Sequence, residues 1–326
     1  MITVNRLQVN STVSLAGILN RQLRNASVLA LEKGPVNGSV DVIILSNIRL
    51  FRFAFDKSIA IHAQRRPGNF FFSVDLSLRA STGFIRAQGV SLSRKALFGF
   101  NSNLKDLDLV LPSSSRMCTI VVPIDILENR LSEWQLVGAQ KFLDRFNVLT
   151  NNAIIGSDGL ISLLSECWNS PVDISRSSLE EDILSSLVNC LTDNSSRKVA
   201  PPLKRQDRHS AALGILSILN SAPLKCFEVQ DLANLLHQSR TSLYGACLEK
   251  FGMSPVQVVR SVRLHQVRHA LLDVEFCTQN DIQSVSDAAK YFGFASRSQF
   301  TKYYKLEFME TPGQTLRRRR NEEQFF

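Results

Sequence analysis

A stretch of about nineteen residues occurs twice in this chain, and the two copies lie 57 residues apart. The first, SRTSLYGACLEKFGMSPVQ, starts at Ser239; the second, SRSQFTKYYKLEFMETPGQ, starts at Ser296. Ser239 pairs with Ser296, Arg240 with Arg297, Leu243 with Phe300 and Phe251 with Phe308. Ser254 then pairs with Thr311, Pro255 with Pro312 and Gln257 with Gln314. About eight identical or like pairs without a gap mark an internal repeat, so each copy must be one structural unit used twice.

Each copy reads as two helices. Ser239 and Ser296 stand where an N-cap is needed, with hydroxyls that accept the open N–H groups of a starting helix. Apolar residues follow at +4, +8 and +12, one helix face. SPVQ (254–257) and TPGQ (311–314) each combine an N-cap, a proline at the first helical position and a glutamine at the third, which is a capping box. Upstream of each copy lies a short amphipathic helix, VQDLANLLH and IQSVSDAAKYF, with an alanine (Ala233, Ala289) where a following helix can cross closely. A short helix, a tight turn and a polar-faced second helix make a helix-turn-helix, here in tandem. Between the units, Pro255 to Asp273 predicts one helix of roughly 28 Å. With parts of the flanking units, that brings the two second helices near the ~34 Å separating major-groove faces one turn apart.

The buried face decides what is left to meet DNA. In the second copy Phe300, Tyr304 and Phe308 face inward, leaving Ser296, Arg297, Ser298, Gln299, Thr301 and Lys302 on or near the open face. Arginine pairs with guanine edges and glutamine with adenine, while Ser, Thr and Lys suit bases or phosphates. In the first copy Leu243 and Cys247 face in, leaving Ser239, Arg240, Thr241, Ser242 and Tyr244, with Gly245 presenting no side chain. The first helix is therefore expected to discriminate less.

Before the repeat the pattern differs. Residues 26–122 carry short β-branched or alternating runs (VDVIIL, RLFRFAF, IAIHAQ, FFFSVDL, TIVVP), the mark of a β-rich sandwich or barrel. From PIDILENRLSEW onward the period moves toward 3.6 residues, and TDNSSRKVAPPLKRQDRH, with adjacent prolines and five cations, reads as a linker. The expected fold class is thus α+β and multidomain. It comprises a β-rich sandwich- or barrel-like domain, the expected sensor, at 1–122, a helical dimerisation or connecting segment at 123–192 and a linker at 193–208. An all-α DNA-binding domain with two helix-turn-helix units follows at 209–320, then a tail at 321–326.

The net charge of +9 agrees with an anionic partner but does not locate it, because residues 201–326 hold 17 Lys+Arg against 12 Asp+Glu and the remainder 21 against 17. The six cysteines form no Cys-x-x-Cys pair, and the N-terminus lacks the basic start and apolar core of an export signal. With no stretch approaching the ~18 apolar residues of a membrane span, the expected place is the cytoplasm, without membrane contact.

Residues 209–320 resemble the DNA-binding domain of AraC/XylS-type bacterial transcriptional regulators. The resemblance rests on DLANLLHQSRTSLYGACLEKFGMSP, RSVRLHQVRHALL and VSDAAKYFGFASRSQFTKYYKLEFMETP. It implies two helix-turn-helix units joined by a long helix, the helices starting at Ser239 and Ser296 entering adjacent major grooves of double-stranded DNA. It also implies activation more than repression and a β-rich sensor or dimerisation domain ahead of the DNA-binding half, without implying a ligand for it. RNA polymerase, a second copy of the chain (a homodimer) and a small-molecule effector are the further partners to be tested for such a regulator, and the nucleoid its expected place. Three positions depart from the pattern. Met309 and His237 stand where glycine is usual, so the second recognition helix is expected to close differently. Cys247 stands where phenylalanine is common, which implies a lighter first core.

Enzymatic sites find no support in the residues. HQVRH at His265–His269 lacks the glutamate of the zinc-protease pattern, and His62 is the one histidine before residue 209. Neither a nucleophile elbow nor a phosphate loop occurs, so no cofactor, metal or catalytic residue is expected. Phe51–Phe55 and Phe70–Phe72 read as core rather than as the lining of an effector pocket. The run Arg317–Arg320 reads equally as a phosphate grip or as the frayed basic end of the last helix. A helical protein-interaction module, or an enzyme with its site in residues 1–192, are the alternatives to a DNA reader.

Overall fold

The β-branched runs fold as strands and the amphipathic stretches after Pro123 as helices in a computed structural model, which describes residues 3–77, 83–169, 175–202, 207–222, 224 and 227–323. Cys226, residues 170–174 of the expected connecting segment, 203–206 of the expected linker and 324–326 of the tail lie outside the described residues. In chain order the first elements are β1 (Val4–Val9), α1 (Thr12–Leu19), β2 (Leu23–Ala30), β3 (Gly38–Ile44), β4 (Arg49–Phe55), β5 (Ile59–Arg65) and β6 (Asn69–Asp75). Next come β7 (Arg86–Ala87), β8 (Val90–Ser91), β9 (Leu97–Phe98), β10 (Asp106–Leu111) and β11 (Arg116–Pro123). They are followed by α2 (Ile124–Glu133), α3 (Val137–Arg145), β12 (Val148–Thr150), α4 (Asn152–Ile155), α5 (Leu160–Asn169), α6 (Arg176–Thr192) and β13 (Lys198–Ala200). The rest is helical: α7 (Asp207–Ser221), α8 (Val229–Leu235), α9 (Arg240–Phe251), α10 (Pro255–Leu272), α11 (Val274–Gln279), α12 (Val285–Tyr291), α13 (Arg297–Phe308) and α14 (Pro312–Glu323).

Two compact units interleave along the chain. The first comprises Met1–Gln8, Gly38–Asp56 and Gln64–Lys204; the second comprises Val9–Asn37, Lys57–Ala63 and Arg205–Phe326.

The first unit is built on a sheet ordered β1-β3-β4-β11-β6-β9-β12-β13 among the described residues. Its central pairings, β3 with β4 and β11 with both β4 and β6, are antiparallel, and β10, β7 and β8 form a smaller antiparallel ladder. Ile43, Leu50, Phe72, Ile120 and Val122 share one core with Leu127, Leu143, Leu164, Leu184 and Leu187. Helices α2 to α6 thus cover a sheet face instead of standing apart as a connector, and Lys198–Ala200 of the expected linker pairs with β12. Phe51, Phe53, Phe55, Phe70 and Phe72 are buried, as their alternation implies. Asp41, 1% exposed, lies between Arg6 (2.8 Å) and Arg52 (2.7 Å). Burial pushes its carboxyl up, but the hydrogen bonds from both guanidinium groups outweigh that and hold it below the usual aspartate value.

In the second unit the helices from α7 onward carry α1 and β2 with them. β2 packs on α7 and α10, and α1 packs on α10. Asn220 at the end of α7 donates to Ala26 O (2.8 Å) and Ser27 Oγ (2.9 Å), satisfying an acceptor of β2. Gly214 is where α7 meets the turn after α8: a Cβ there would lie 2.5 Å from Leu236 Cδ2.

Candidate nucleic-acid interface

Both helix-turn-helix units assemble by the same local chemistry. In the first, α8 buries Leu232 and Ala233 and then turns through His237 at φ +51°, with the Gln238 N–H donating to Ala233 O (2.9 Å). In the second, α12 buries Ala288 and Ala289 and turns through Gly293 at φ +79°, with the Phe294 N–H donating to Ala289 O (2.9 Å). The first helices start 56 residues apart (Val229, Val285) and the second ones 57 apart (Arg240, Arg297), so the second turn holds one more residue. His237 occupies the place of Gly293 and takes its left-handed backbone.

The predicted caps are present. Ser239 Oγ accepts the Ser242 N–H at 3.1 Å, and Ser296 Oγ accepts the Gln299 N–H at 3.4 Å. Ser254 with Gln257 and Thr311 with Gln314 form reciprocal capping pairs, the backbone donors reaching the glutamine oxygens at 2.8 and 2.7 Å. The connecting helix α10 runs Pro255–Leu272, one residue short of its expected end, because Asp273 caps α11.

Apolar residues fix which way each second helix faces. α9 buries Leu243, Ala246, Cys247 and Phe251; α13 buries Phe300, Tyr304 and Phe308. On α9, Ser239, Arg240 and Thr241 are exposed, while Ser242 and Tyr244 are half-buried. The Ser242 hydroxyl donates to Gln238 Oε1 at 2.8 Å, inside the turn. On α13, Arg297, Ser298, Gln299 and Lys302 are exposed, and Ser296 and Thr301 are half-buried. Thr301 Oγ1 donates back to Arg297 O (2.9 Å), and Ser296 Oγ lies 3.1 Å from Ser298 Oγ. Four open side chains, two able to make paired contacts with a base edge, thus sit on the first two turns of α13, against three at the start of α9, of which Arg240 alone can do so.

The helix ends correct one expectation. Met309 does not close α13 differently: it takes φ +56°, the same left-handed cap that Gly252 gives α9 at φ +69°. The run at 317–320 is no frayed end either, since α14 continues to Glu323, Arg318 pairs with Glu310, and Arg317 Nε donates to Gly313 O (3.3 Å).

A buried polar network around α13 has no counterpart in the repeat and escaped sequence reasoning. Arg268 Nε donates to Glu310 Oε1 (3.1 Å), Thr315 donates to the same oxygen (2.8 Å), and the Tyr304 hydroxyl lies 2.8 Å from Thr315 Oγ1. Ser261 donates to Glu307 Oε1 (3.0 Å), and His265 Nε2 stands 3.6 Å from that oxygen with its ring edge-on to Phe308. Burial pushes both carboxyls up, yet the donors and cations around them hold both below the usual glutamate value. The positions 57 residues before Glu307, Glu310 and Thr315 are Lys250, Met253 and Val258, which cannot repeat it. His265 and His269 diverge, His269 Nδ1 facing Ser11 Oγ at 3.3 Å. Arg260 lies 4.3 Å over the ring of Tyr303, a second α10–α13 contact that no spacing announced.

Comparison with known proteins agrees with this geometry. Residues 232–318 match a family described as a helix-turn-helix domain. The regulatory protein HrpB of Ralstonia nicotianae is 34% identical over 87 residues, covering 27% of this chain and 17% of that protein. XylDLEGF operon transcriptional activator 3 of Pseudomonas putida is 24% identical over 220 residues, covering 65% of this chain and 62% of that protein. Residues 232–318 form a helix-turn-helix domain. The chain spans less than two thirds of the length of either relative. Among solved structures, the AraC-like transcriptional activator CuxR is 15% identical with a TM-score of 0.41 over 82% of this chain and 96% of that one, a likeness too slight to build on. No helix among the described residues is long and apolar enough to cross a membrane.

Proposed function

We propose that the chain is a sequence-specific transcription regulator, an activator, that reads two successive major grooves of double-stranded DNA with α9 and α13. The observation that carries this reading is the pair of second helices seated alike. Each has its apolar face buried and an arginine at its first helical position in solvent, Arg240 and Arg297. In the reading, Arg297 and Gln299 make the base contacts, and Ser296, Ser298, Thr301 and Lys302 hold phosphate or flanking bases. Ser239, Arg240, Thr241, Ser242 and Tyr244 form the weaker reader, because Ser242 is engaged by Gln238 and Gly245 offers no side chain. The β-rich first unit is the sensor, a small-molecule effector or a homodimer contact its input, and RNA polymerase the target of the bound protein. No enzymatic activity belongs to this reading, and the place of action is the cytoplasm, on the nucleoid.

Genome-wide recovery of bound DNA, followed by binding of purified protein to the recovered site, tests the proposal. An enriched motif with two half-sites about one helical turn apart is expected. Arg297→Ala should relax the preference at one base pair of one half-site by about 1–3 kcal/mol. Recovery without any enriched motif would sink the reading.

A further inference from the structure

The second recognition helix is held from a part of the chain three hundred positions upstream, counted from Asn10 to the α13–α14 junction at Glu310. Arg268 of α10 is 3% exposed and bridges two elements. Its Nε donates to Glu310 Oε1 (3.1 Å), and its Nη1 donates to Asn10 O (3.1 Å), directly before the N-cap of α1. The guanidinium also lies 5.5 Å from the centre of the Phe308 ring, the last core residue of α13. One residue on, Ser11 Oγ meets His269 Nδ1 at 3.3 Å.

A second tie reaches α13 itself. Glu307 O is one of the four carbonyls at the end of α13 that have no partner within the helix. The Gly34 N–H donates to it at 2.6 Å. Gly34 sits at φ +111°, a backbone that side-chain-bearing residues rarely adopt, and a Cβ there would lie 3.1 Å from Lys57 Cε. The segment Val9–Asn37, which belongs to the same compact unit, therefore reaches the second reader at two points, directly at Glu307 O and through Arg268 at Glu310.

We propose that Arg268 and the Gly34 N–H are positioning groups for DNA reading, through which residues 9–37 set the seat of α13 and hence the aim of Arg297 and Gln299. A guanidinium suits the place because its fork serves a carboxylate and a carbonyl at once, which a lysine ammonium at one point cannot do in the same geometry. The Arg268–Glu310 pair cannot be repeated at the first reader, where Met253 stands at the position matching Glu310. This inference rests on the proposed DNA-reading function, and it predicts that damage at residue 34 is felt at one half-site only.

The test uses the full chain with Arg268→Met, Arg268→Lys and Gly34→Val, each measured on the recovered site and on duplexes mismatched in one half-site. Wild-type protein should lose about tenfold in affinity for a mismatch in the α13 half-site. Arg268→Met and Gly34→Val should abolish that mismatch penalty while leaving the penalty at the α9 half-site intact, with Arg268→Lys between them and wild type. Equal losses at both half-sites would mark general destabilisation and overturn the proposal, as would wild-type discrimination at both. Amide exchange without DNA separates this from the functional reading. Arg268→Met and Gly34→Val should each speed exchange in 297–308 and leave 240–251 unchanged, and unchanged exchange in 297–308 overturns the proposal even where wild-type protein selects no DNA.

Discussion

Met309 ends α13 at φ +56° with its side chain 80% exposed, so it contributes little packing while holding a backbone that costs an L-residue roughly 1–2 kcal/mol. Its register mate in the first unit, Gly252, carries no such cost. Met309→Gly should therefore stabilise the second unit by about 1 kcal/mol, less the added freedom of glycine in the unfolded chain. Urea unfolding followed through the α13 amides would show it as a higher midpoint; an unchanged or lower midpoint would refute the strain argument. The motif's glycine deficit was legible in the sequence at Met309 and His237. Its outcome was not, because a left-handed residue of either kind closes the helix through the same N–H to carbonyl bond, here Met309 N–H to Lys305 O.

At the scale of elements the two units share caps and turns but differ in what fixes the reading helix. α9 rests on Leu243, Cys247 and Phe251, and burial pushes the Cys247 thiol up to about 12, leaving it a small neutral core residue. α13 rests on three aromatic rings and on the carboxylates Glu307 and Glu310, both held below the usual glutamate value. A carboxyl with a lower pKa in the fold than in the unfolded chain adds stability above its unfolded value, and that stability is lost as pH falls through the folded one. His269 acts in the same direction: burial lowers its pKa, against the pull of Asp273, so acid charges it at a cost to the fold. Acidification from neutral pH should first weaken the α10–α1 contact below about 6.5, then loosen α13 below about 4.5, the ordinary values of the two groups. Amide exchange measured along a pH series should show α13 losing protection ahead of α9, and simultaneous loss would contradict the assignment. The caps at Ser239, Ser254, Ser296 and Thr311 were legible because donor and acceptor lie within three residues. The Arg268–Glu310 pair, 42 positions apart, was not, since charge in a sequence does not reveal which ions are buried.

At the scale of the whole molecule, the limits of the reading domain depend on what covers its apolar faces. Periodicity sets the helical domain at 209–320, and every helix-turn-helix element falls inside that span. The second compact unit nevertheless takes in Val9–Asn37 and Lys57–Ala63, because α1 and β2 lie on α7 and α10. That partnership left no local mark: β2, LRNASVLA, holds one β-branched residue, and its burial against helices is a property of the folded chain. Leu15, Leu19, Leu23, Val28 and Leu29 are buried. Burying a leucine or valine side chain contributes about 1.5–3 kcal/mol, so losing this layer removes stability of the order of a whole small domain's margin. A fragment of residues 205–326 should therefore show weaker amide protection in α7 and α10 than the full chain at the same pH and temperature. The loss should be greatest at α10, whose buried residues Leu264, Val267 and Leu271 line the helix that joins the two readers. Restoring residues 9–37 through a flexible tether should return that protection, and a fragment as well protected as the full chain would show the N-terminal layer to be dispensable.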